Sequence, residues 1–272
     1  STHDYLLFFT NAGRVHRRKG YQIPEGGRVA KGTNIVNILP LEAGEKVTAG
    51  LTVREFDEDN LLFVTKQGTV KRVTLESLNT ARKAGIRALT LADGDELIAV
   101  MKTNGEQNIL LATADGMAIC FSENDVRVMG RDAAGVRGMA LDAGDSIVGA
   151  GIAAKGKQLL SVTEYGYGKR TAVEAYLRGE DRQPQTRGGK GLRNYRLTGK
   201  TGLVAGAAIV DDTNDVMLIE SGGVVLRTPA ASINLYGRDT QGVILMRIEE
   251  GNRVIGVEAI SNTEETEESG EE

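Results

Sequence analysis

The chain is expected to be all-β, an array of propeller-like blades, and three observations carry that expectation. Its 272 residues include 35 glycines, four prolines and no tryptophan, with Val, Ile and Leu frequent, a balance that suits many short strands joined by tight turns. One unit, made of an apolar run, a polar turn closing on Gly and a second extended run, occurs five times. The copies follow one another at intervals of about 50 residues, the period of blades or arrays rather than of a single sandwich.

In chain order the first hairpins run from Leu6 to Arg17 (LLFFTNAGRVHR), Leu61 to Arg72 (LLFVTKQGTVKR), Ile109 to Cys120 (ILLATADGMAIC), Leu159 to Arg170 (LLSVTEYGYGKR) and Val216 to Arg227 (VMLIESGGVVLR). Their turn glycines are Gly13, Gly68, Gly116, Gly166 and Gly223. A second extended half follows each: Gly85 to Val100, Gly135 to Ala150 and Gly242 to Val257, with Gly32 to Gly50 and Gly191 to Gly206 on the same mould. Each unit thus supplies two hairpins, the content of one four-stranded blade. A lone blade cannot cover both its faces, so neighbouring blades must do so. The blades are expected at about residues 5–56, 60–104, 108–154, 158–212 and 215–260, within one domain over 1–262.

The formal net charge of −4 hides an asymmetry, because the last ten residues hold six glutamates and no cation. Residues 263–272 therefore read as an acidic, disordered tail on a mildly basic body. In the body the cations follow the repeat. Four positions after each turn glycine stand Arg17, Arg72, Cys120, Arg170 and Arg227, with His16, Lys71 and Lys169 just before and Arg18 just after the first. Connecting loops add Arg82, Lys83, Arg127, Arg131, Arg178, Arg182 and Arg238. Equivalent positions around a ring of blades would make a curved positive band; the plainer reading is solvated charges at strand ends.

The fourth repeat carries an insertion between its two halves, and within it lies Gln185-Thr186-Arg187-Gly188-Gly189-Lys190-Gly191. Three glycines let the backbone turn tightly and approach another backbone, while Arg187 and Lys190 bring charge to the point of approach. That combination suits a phosphate backbone, or else an ordinary basic surface loop.

Other chemistry is set aside. A single cysteine, Cys120, and two histidines leave neither a disulfide framework nor a multi-cysteine metal site. Gly199-Lys200-Thr201 is no phosphate-binding P-loop, since Asn194 stands where the motif needs Gly. Asp93, Asp95, Glu96, Asp142 and Asp145 recur at one hairpin turn and read as turn residues. Tyr165, Tyr167, Tyr176 and Tyr195 are candidates for contact with a phosphate backbone or for packing. No catalytic constellation is visible. No run approaches the roughly 18 apolar residues of a membrane span and no signal pattern opens the chain, so a soluble cytoplasmic protein is expected. The opening at Ser1, close to a strand, suggests a fragment.

The repeated hairpins, the phrases Gly166-Tyr167-Gly168-Lys169-Arg170-Thr171-Ala172-Val173 and Gly237-Arg238-Asp239-Thr240-Gln241-Gly242-Val243-Ile244-Leu245, and the acidic end together resemble the C-terminal domain of gyrase A, one of the two proteins of DNA gyrase, from Thr2 to about Ile260. The resemblance implies a β-pinwheel, a disc whose blades exchange strands, usually six in number, with DNA wrapped on its basic rim. The family's box heptapeptide, Gln-Arg-Arg-Gly-Gly-Lys-Gly, is matched by Gln185 to Gly191 at six of seven positions, with Thr186 departing. The family carries that box in its first blade, so either this copy is an accessory one, with the usual box upstream of Ser1, which is the favoured reading, or the box function has moved to this repeat. By this resemblance Gln185, Arg187, Gly188, Gly189, Lys190 and Gly191, with Arg17, Arg18, Lys71, Arg72, Arg82, Lys83, Arg131, Lys169, Arg170, Arg178, Arg182, Arg227 and Arg238, form the DNA-binding set. It further implies a domain without catalysis or cofactor of its own, ATP and Mg serving elsewhere in an ATP-dependent type II topoisomerase. Its partners would be double-stranded DNA, the N-terminal part of gyrase A and the gyrase B protein in an A2B2 complex at the nucleoid, with no membrane involved. The acidic tail would compete with DNA for the rim. Alternatives are the corresponding domain of topoisomerase IV and a basic propeller that binds proteins.

Overall fold

The computed structural model describes residues 1–26 and 31–261, so the acidic tail expected at 263–272 lies outside the described residues. The first repeat forms β1 (Tyr5–Thr10), β2 (Arg14–Lys19) and β3 (Val47–Val53). The second forms β4 (Asn60–Thr65), β5 (Thr69–Thr74), the two-residue β6 (Ile86–Arg87) and β7 (Leu97–Thr103). The third gives β8 (Asn108–Thr113), β9 (Met117–Ser122), β10 (Val136–Arg137) and β11 (Ile147–Ile152). The fourth gives β12 (Gln158–Thr163), β13 (Tyr167–Ala172), β14 (Leu192–Arg193) and β15 (Val204–Val210). The fifth gives β16 (Asn214–Glu220), β17 (Val225–Pro229), β18 (Val243–Ile244) and β19 (Val254–Ser261).

Sheet order shows the strand exchange. Blade by blade it runs β3-β1-β2-β6, β7-β4-β5-β10, β11-β8-β9-β14, β15-β12-β13-β18 and β19-β16-β17. The first four blades each take their outermost strand from the following repeat, as a β-pinwheel requires. The fifth has three strands rather than the expected four, because no described segment supplies β17 with that strand. The turn glycines explain why the hairpins repeat so faithfully: Gly13, Gly68, Gly116, Gly166 and Gly223 all have φ between 74 and 92°, a region that only Gly enters without strain.

The chain divides into two compact units: residues 1–113, 117–152 and 176–192, and residues 114–116, 153–175 and 193 onward. In the first unit β4 is buried on both faces. Leu61 and Phe63 pack with Leu7, Phe9 and Val15 of the first blade, whereas Leu62 and Val64 pack with Ile109, Leu111 and Ile119 of the third. Successive strand residues point to opposite faces, so a strand between two blades must be apolar at nearly every position. In the second unit Leu160 and Val162 of β12 meet Val216 and Leu218 of β16. Within the units, β3 packs on β7, β7 on β11, and β15 on β19. The borrowed strands therefore lie at the opposite, outer edges of their sheets. Among the described residues no helix is long and apolar enough to cross a membrane.

Candidate nucleic-acid interface

In the second and fourth blades the cations that follow the hairpin turns face inward, which corrects the expectation that they belong to the rim, whereas Arg17 is half-buried and Arg227 exposed. Lys71 and Lys169 are fully buried, and Arg72 and Arg170 are 8% and 4% exposed. Each lysine lies under the loop of the following repeat. Lys169 Nζ donates to Asn194 O at 2.7 Å, Gly237 O at 2.8 Å and Thr240 Oγ1 at 3.0 Å. Lys71 Nζ donates to Ala88 O at 2.9 Å and to Arg131 O. Burial pushes each ammonium down to about 8, with Asp239 beside Lys169 and Asp132 beside Lys71 opposing the shift. The arginines grip the next repeat's 3-10 turn. Arg72 Nη1 reaches Glu123 and Asn124, both at 3.1 Å, and Arg170 Nε reaches Ile233 O at 2.7 Å, with Asp212 paired to its Nη1. Burial would raise the Glu123 carboxyl, but hydrogen bonds from the Gly105 and Gln107 amides and from Arg72 hold it below its usual range. The physical reason for the correction is the two-sided burial of a blade: alternate strand residues meet a neighbouring blade, not water.

Other expected cations are partly committed. Arg17 lies over the Tyr5 ring at 4.7 Å and donates to Asn79. Arg18 donates to Ile38 O, Arg17 O and Lys83 O. Arg227 pairs with Asp215 at 2.7 Å, and Arg238 donates to Arg193 O at 3.2 Å. Arg82, Lys83 and Arg178 are exposed to differing degrees, as is Arg182, whose φ of 50° marks a tight turn, whereas Arg131 is half-buried. Among the tyrosines, Tyr176 and Tyr195 are core residues and Tyr165 is exposed.

The box-like loop is anchored to the third blade. Phe121 and Gln185 form a parallel bridge, and Gln185 N donates to Cys120 O at 2.7 Å. Arg187 Nε donates to Asp125 O at 2.7 Å and Nη1 to Arg137 O at 2.9 Å, while Gly188 N donates to Gly138 O at 2.7 Å. Gly191, with φ 75°, passes so close to the blade that a Cβ there would overlap the Ala118 carbonyl. Lys190 points outward and pairs with Asp142 at 2.5 Å, both side chains two-thirds exposed. In this loop Arg187 therefore serves the fold, and Lys190 is the charge available to a ligand. Cys120 is buried with its thiol pushed up to about 12, which fits an inert strand residue.

The structure adds three cations absent from the expected set. Arg87, Arg137 and Arg193 end the borrowed strands β6, β10 and β14, and all three are exposed. Register fixes them at one place: Arg87 faces Arg14, and Arg137 faces Thr69, each one residue after the turn glycine. The sequence signal was the Gly-Ile-Arg, Gly-Val-Arg and Gly-Leu-Arg that open the second, third and fourth second halves; the fifth opens Gly242-Val243-Ile244. In the first unit Arg87 and Arg137 thus stand on the outer edges of consecutive sheets, beside loops bearing Arg82, Lys83, Arg178 and Lys190; in the second, Arg193 holds the same station.

The family model of the DNA gyrase C-terminal domain, beta-propeller, matches residues 4–54, 59–104, 107–154, 157–211 and 214–261. The chain belongs to the DNA gyrase C-terminal domain family. It is 44% identical over 267 residues to the DNA gyrase A protein of Lawsonia intracellularis, covering 97% of this chain and 32% of that protein. With the DNA gyrase A protein of Escherichia coli K12 it shares 43% over 262 residues, covering 96% and 29%. The chain thus spans about a third of the length of these relatives. Among solved structures, the C-terminal domain of DNA topoisomerase IV superposes with a TM-score of 0.86 at 26% identity, covering 96% of this chain and 80% of that one. A DNA gyrase A C-terminal domain gives 0.79 at 26%, covering 96% and 83%.

Proposed function

We propose that this gyrase C-terminal domain binds double-stranded DNA along its borrowed-strand edges and wraps it, presenting a segment to the rest of the enzyme for ATP-dependent supercoiling. The observation that carries the reading is that three of the four borrowed strands end in an exposed arginine, Arg87, Arg137 and Arg193, the fourth ending in Ile244. DNA is stiff over about 150 base pairs, and a sharp bend in a short site costs several kcal/mol. Evenly repeated cations offset that cost through phosphate contacts and counterion release, and ask nothing of base sequence. A blade that keeps its turn-proximal lysine inside and its strand-end arginine outside divides the work between folding and phosphate binding.

In this reading the domain performs no bond-breaking step and holds no cofactor; cleavage, ATP and Mg belong to the N-terminal part of gyrase A and to gyrase B, in an A2B2 complex in the bacterial cytoplasm. The test is ligation of nicked circular DNA with the domain bound, followed by resolution of the topoisomers. Wrapping leaves a shift in linking number. Salt-sensitive binding without a shift would point instead to positioning of the topoisomerase IV kind, and binding indifferent to salt would remove DNA as the partner. Replacing Arg87, Arg137 and Arg193 with Ala should weaken binding on every sequence alike and flatten the salt slope by about one unit per arginine.

A further inference from the structure

The box-like loop is one copy of a joint that occurs twice among the described residues. In the fourth repeat Gln185 N donates to Cys120 O at 2.7 Å, Arg187 Nη1 to Arg137 O at 2.9 Å and Gly188 N to Gly138 O at 2.7 Å, while Gly189 O accepts from Ala140 N at 3.0 Å. In the fifth, Tyr236 N donates to Arg170 O at 2.8 Å, Arg238 Nη1 to Arg193 O at 3.2 Å and Asp239 N to Asn194 O at 3.0 Å, while Thr240 O accepts from Arg196 N at 3.2 Å. The loop positions correspond one to one, 185 to 236 and 187–189 to 238–240. Each joint lies within one compact unit.

The heptapeptides that form the two joints, Gln185 to Gly191 and Tyr236 to Gly242, share only the Arg in third place and the closing Gly. Backbone shape is kept where sequence is not. The fourth residue is left-handed in both, Gly188 at φ 87° and Asp239 at φ 45°, although Asp enters that region at a cost that Gly escapes. The third repeat has the same two landmarks, Arg131 and Gly135, and seats Met129 N on Arg72 O at 2.8 Å. Its loop is then fastened otherwise, by buried Lys71 to the Arg131 carbonyl and by Thr90 Oγ1 to Asp132 O.

What each joint holds is the end of a borrowed strand. β10 and β14 have two residues apiece and close on the exposed Arg137 and Arg193. The carbonyl of that last residue is the one taken by a guanidinium of the next repeat. Arg187 grips at two points, Nε on Asp125 O at 2.7 Å and Nη1 on Arg137 O, within the fixed plane of one guanidinium. An arginine whose main chain is already fixed has less freedom left to lose when its side chain meets an anion. We propose that Arg187 and Arg238 are positioning residues for DNA binding: each fixes the main chain of the strand-ending arginine before it, Arg137 or Arg193, and does not itself meet a phosphate. The inference rests on the reading of the borrowed-strand arginines as phosphate contacts, and it gives the arginine of the box-like loop an indirect part in that contact.

The test is a double-mutant cycle on the whole chain, read as affinity for linear duplex DNA over a range of salt, with thermal melts showing every variant folded at the assay temperature. Arg137→Ala and Arg187→Ala should each weaken binding about three- to tenfold and flatten the salt slope by about one unit. The double variant should be no weaker than Arg137→Ala alone. Arg187→Lys keeps the charge but cannot hold two carbonyls in one plane, and should bind as weakly as Arg187→Ala. Arg193 and Arg238 should repeat the pattern. In the free chain Arg187→Ala should quicken hydrogen exchange at the Gly138 amide, which donates to Gly68 O at 2.8 Å, whereas Arg137→Ala should leave it slow. Multiplied effects in the double variant would make Arg187 a contact in its own right, and native affinity in Arg187→Lys would reduce it to a charge; either overturns the proposal alone. Native affinity in Arg137→Ala, with exchange at Gly138 still quickened by Arg187→Ala, would overturn the reading of the borrowed-strand arginines as contacts and the proposal with it.

Discussion

The second and fourth blades differ from the third in how they hold the loop that follows them. In the second and fourth, a Lys-Arg pair on the blade reaches forward, Lys71 and Lys169 filling the following loop with an ammonium and Arg72 and Arg170 gripping its 3-10 turn. The third blade has Ile119 and Cys120 there, both fully buried and neither able to donate to the loop's carbonyls. Its following loop is the box-like one, and the direction is reversed: Arg187 reaches back from the loop to Asp125 O and Arg137 O. The charge that fastens a loop to the structure beneath it can come from either side, from the blade onto the loop's carbonyls or from the loop onto carbonyls of the third repeat. The arginine that looked most like a DNA ligand thus replaces a missing lysine.

The largest effect is expected where both arrangements share a feature. Gly135 and Gly191 each pass over a blade carbonyl at positive φ, so Ala at either should cost roughly 3 kcal/mol or more of stability in urea titration. Next comes Lys169→Met, which removes three hydrogen bonds made by one buried ammonium and should cost about 2–3 kcal/mol. The lysine also imposes a pH dependence. Its folded value of about 8 lies below the unfolded 10.5, so the unfolded chain binds more protons between those values, and stability rises with pH across that window by at most about 1.4 kcal/mol per unit. Thermal melts at pH 8 and pH 10 should show this gain in the native chain and a smaller one in Lys169→Met. Arg187→Ala should cost about 1–2 kcal/mol and speed hydrogen exchange at the Gly188 amide, leaving the loop after the fourth blade untouched; equal exchange in both loops would break the comparison. Smallest of all, Lys190→Ala should change stability by under about 0.5 kcal/mol, since its partner Asp142 is exposed, and should show itself only in DNA affinity.

Much of the fold was legible because its rules are local. A hairpin that needs positive φ asks for Gly, and Gly13, Gly68, Gly116, Gly166 and Gly223 printed the repeat in the sequence. Strand exchange could not be read from the residues alone, since a two-residue strand such as Val136–Arg137 is too short to carry a period. The candidate site was legible in its charge but not in its direction. Lys71 and Lys169 differ from Arg87 and Arg137 only in which neighbour they meet, and that is decided by a following repeat about 20 to 70 residues away. Regular spacing showed that the cations were equivalent; only packing separated those that hold the blades together from those that face solvent.

Borrowed strands also set a timetable for the chain as it is made. β2 cannot be covered until Ile86–Arg87 have been synthesised, nor β5 until Val136–Arg137 have followed. Each of the first four blades waits, with one raw edge, for more than a full repeat to leave the ribosome. At a few to some twenty residues per second, each edge is open for seconds, and assembly is obliged to proceed in one direction, from the first blade to the last.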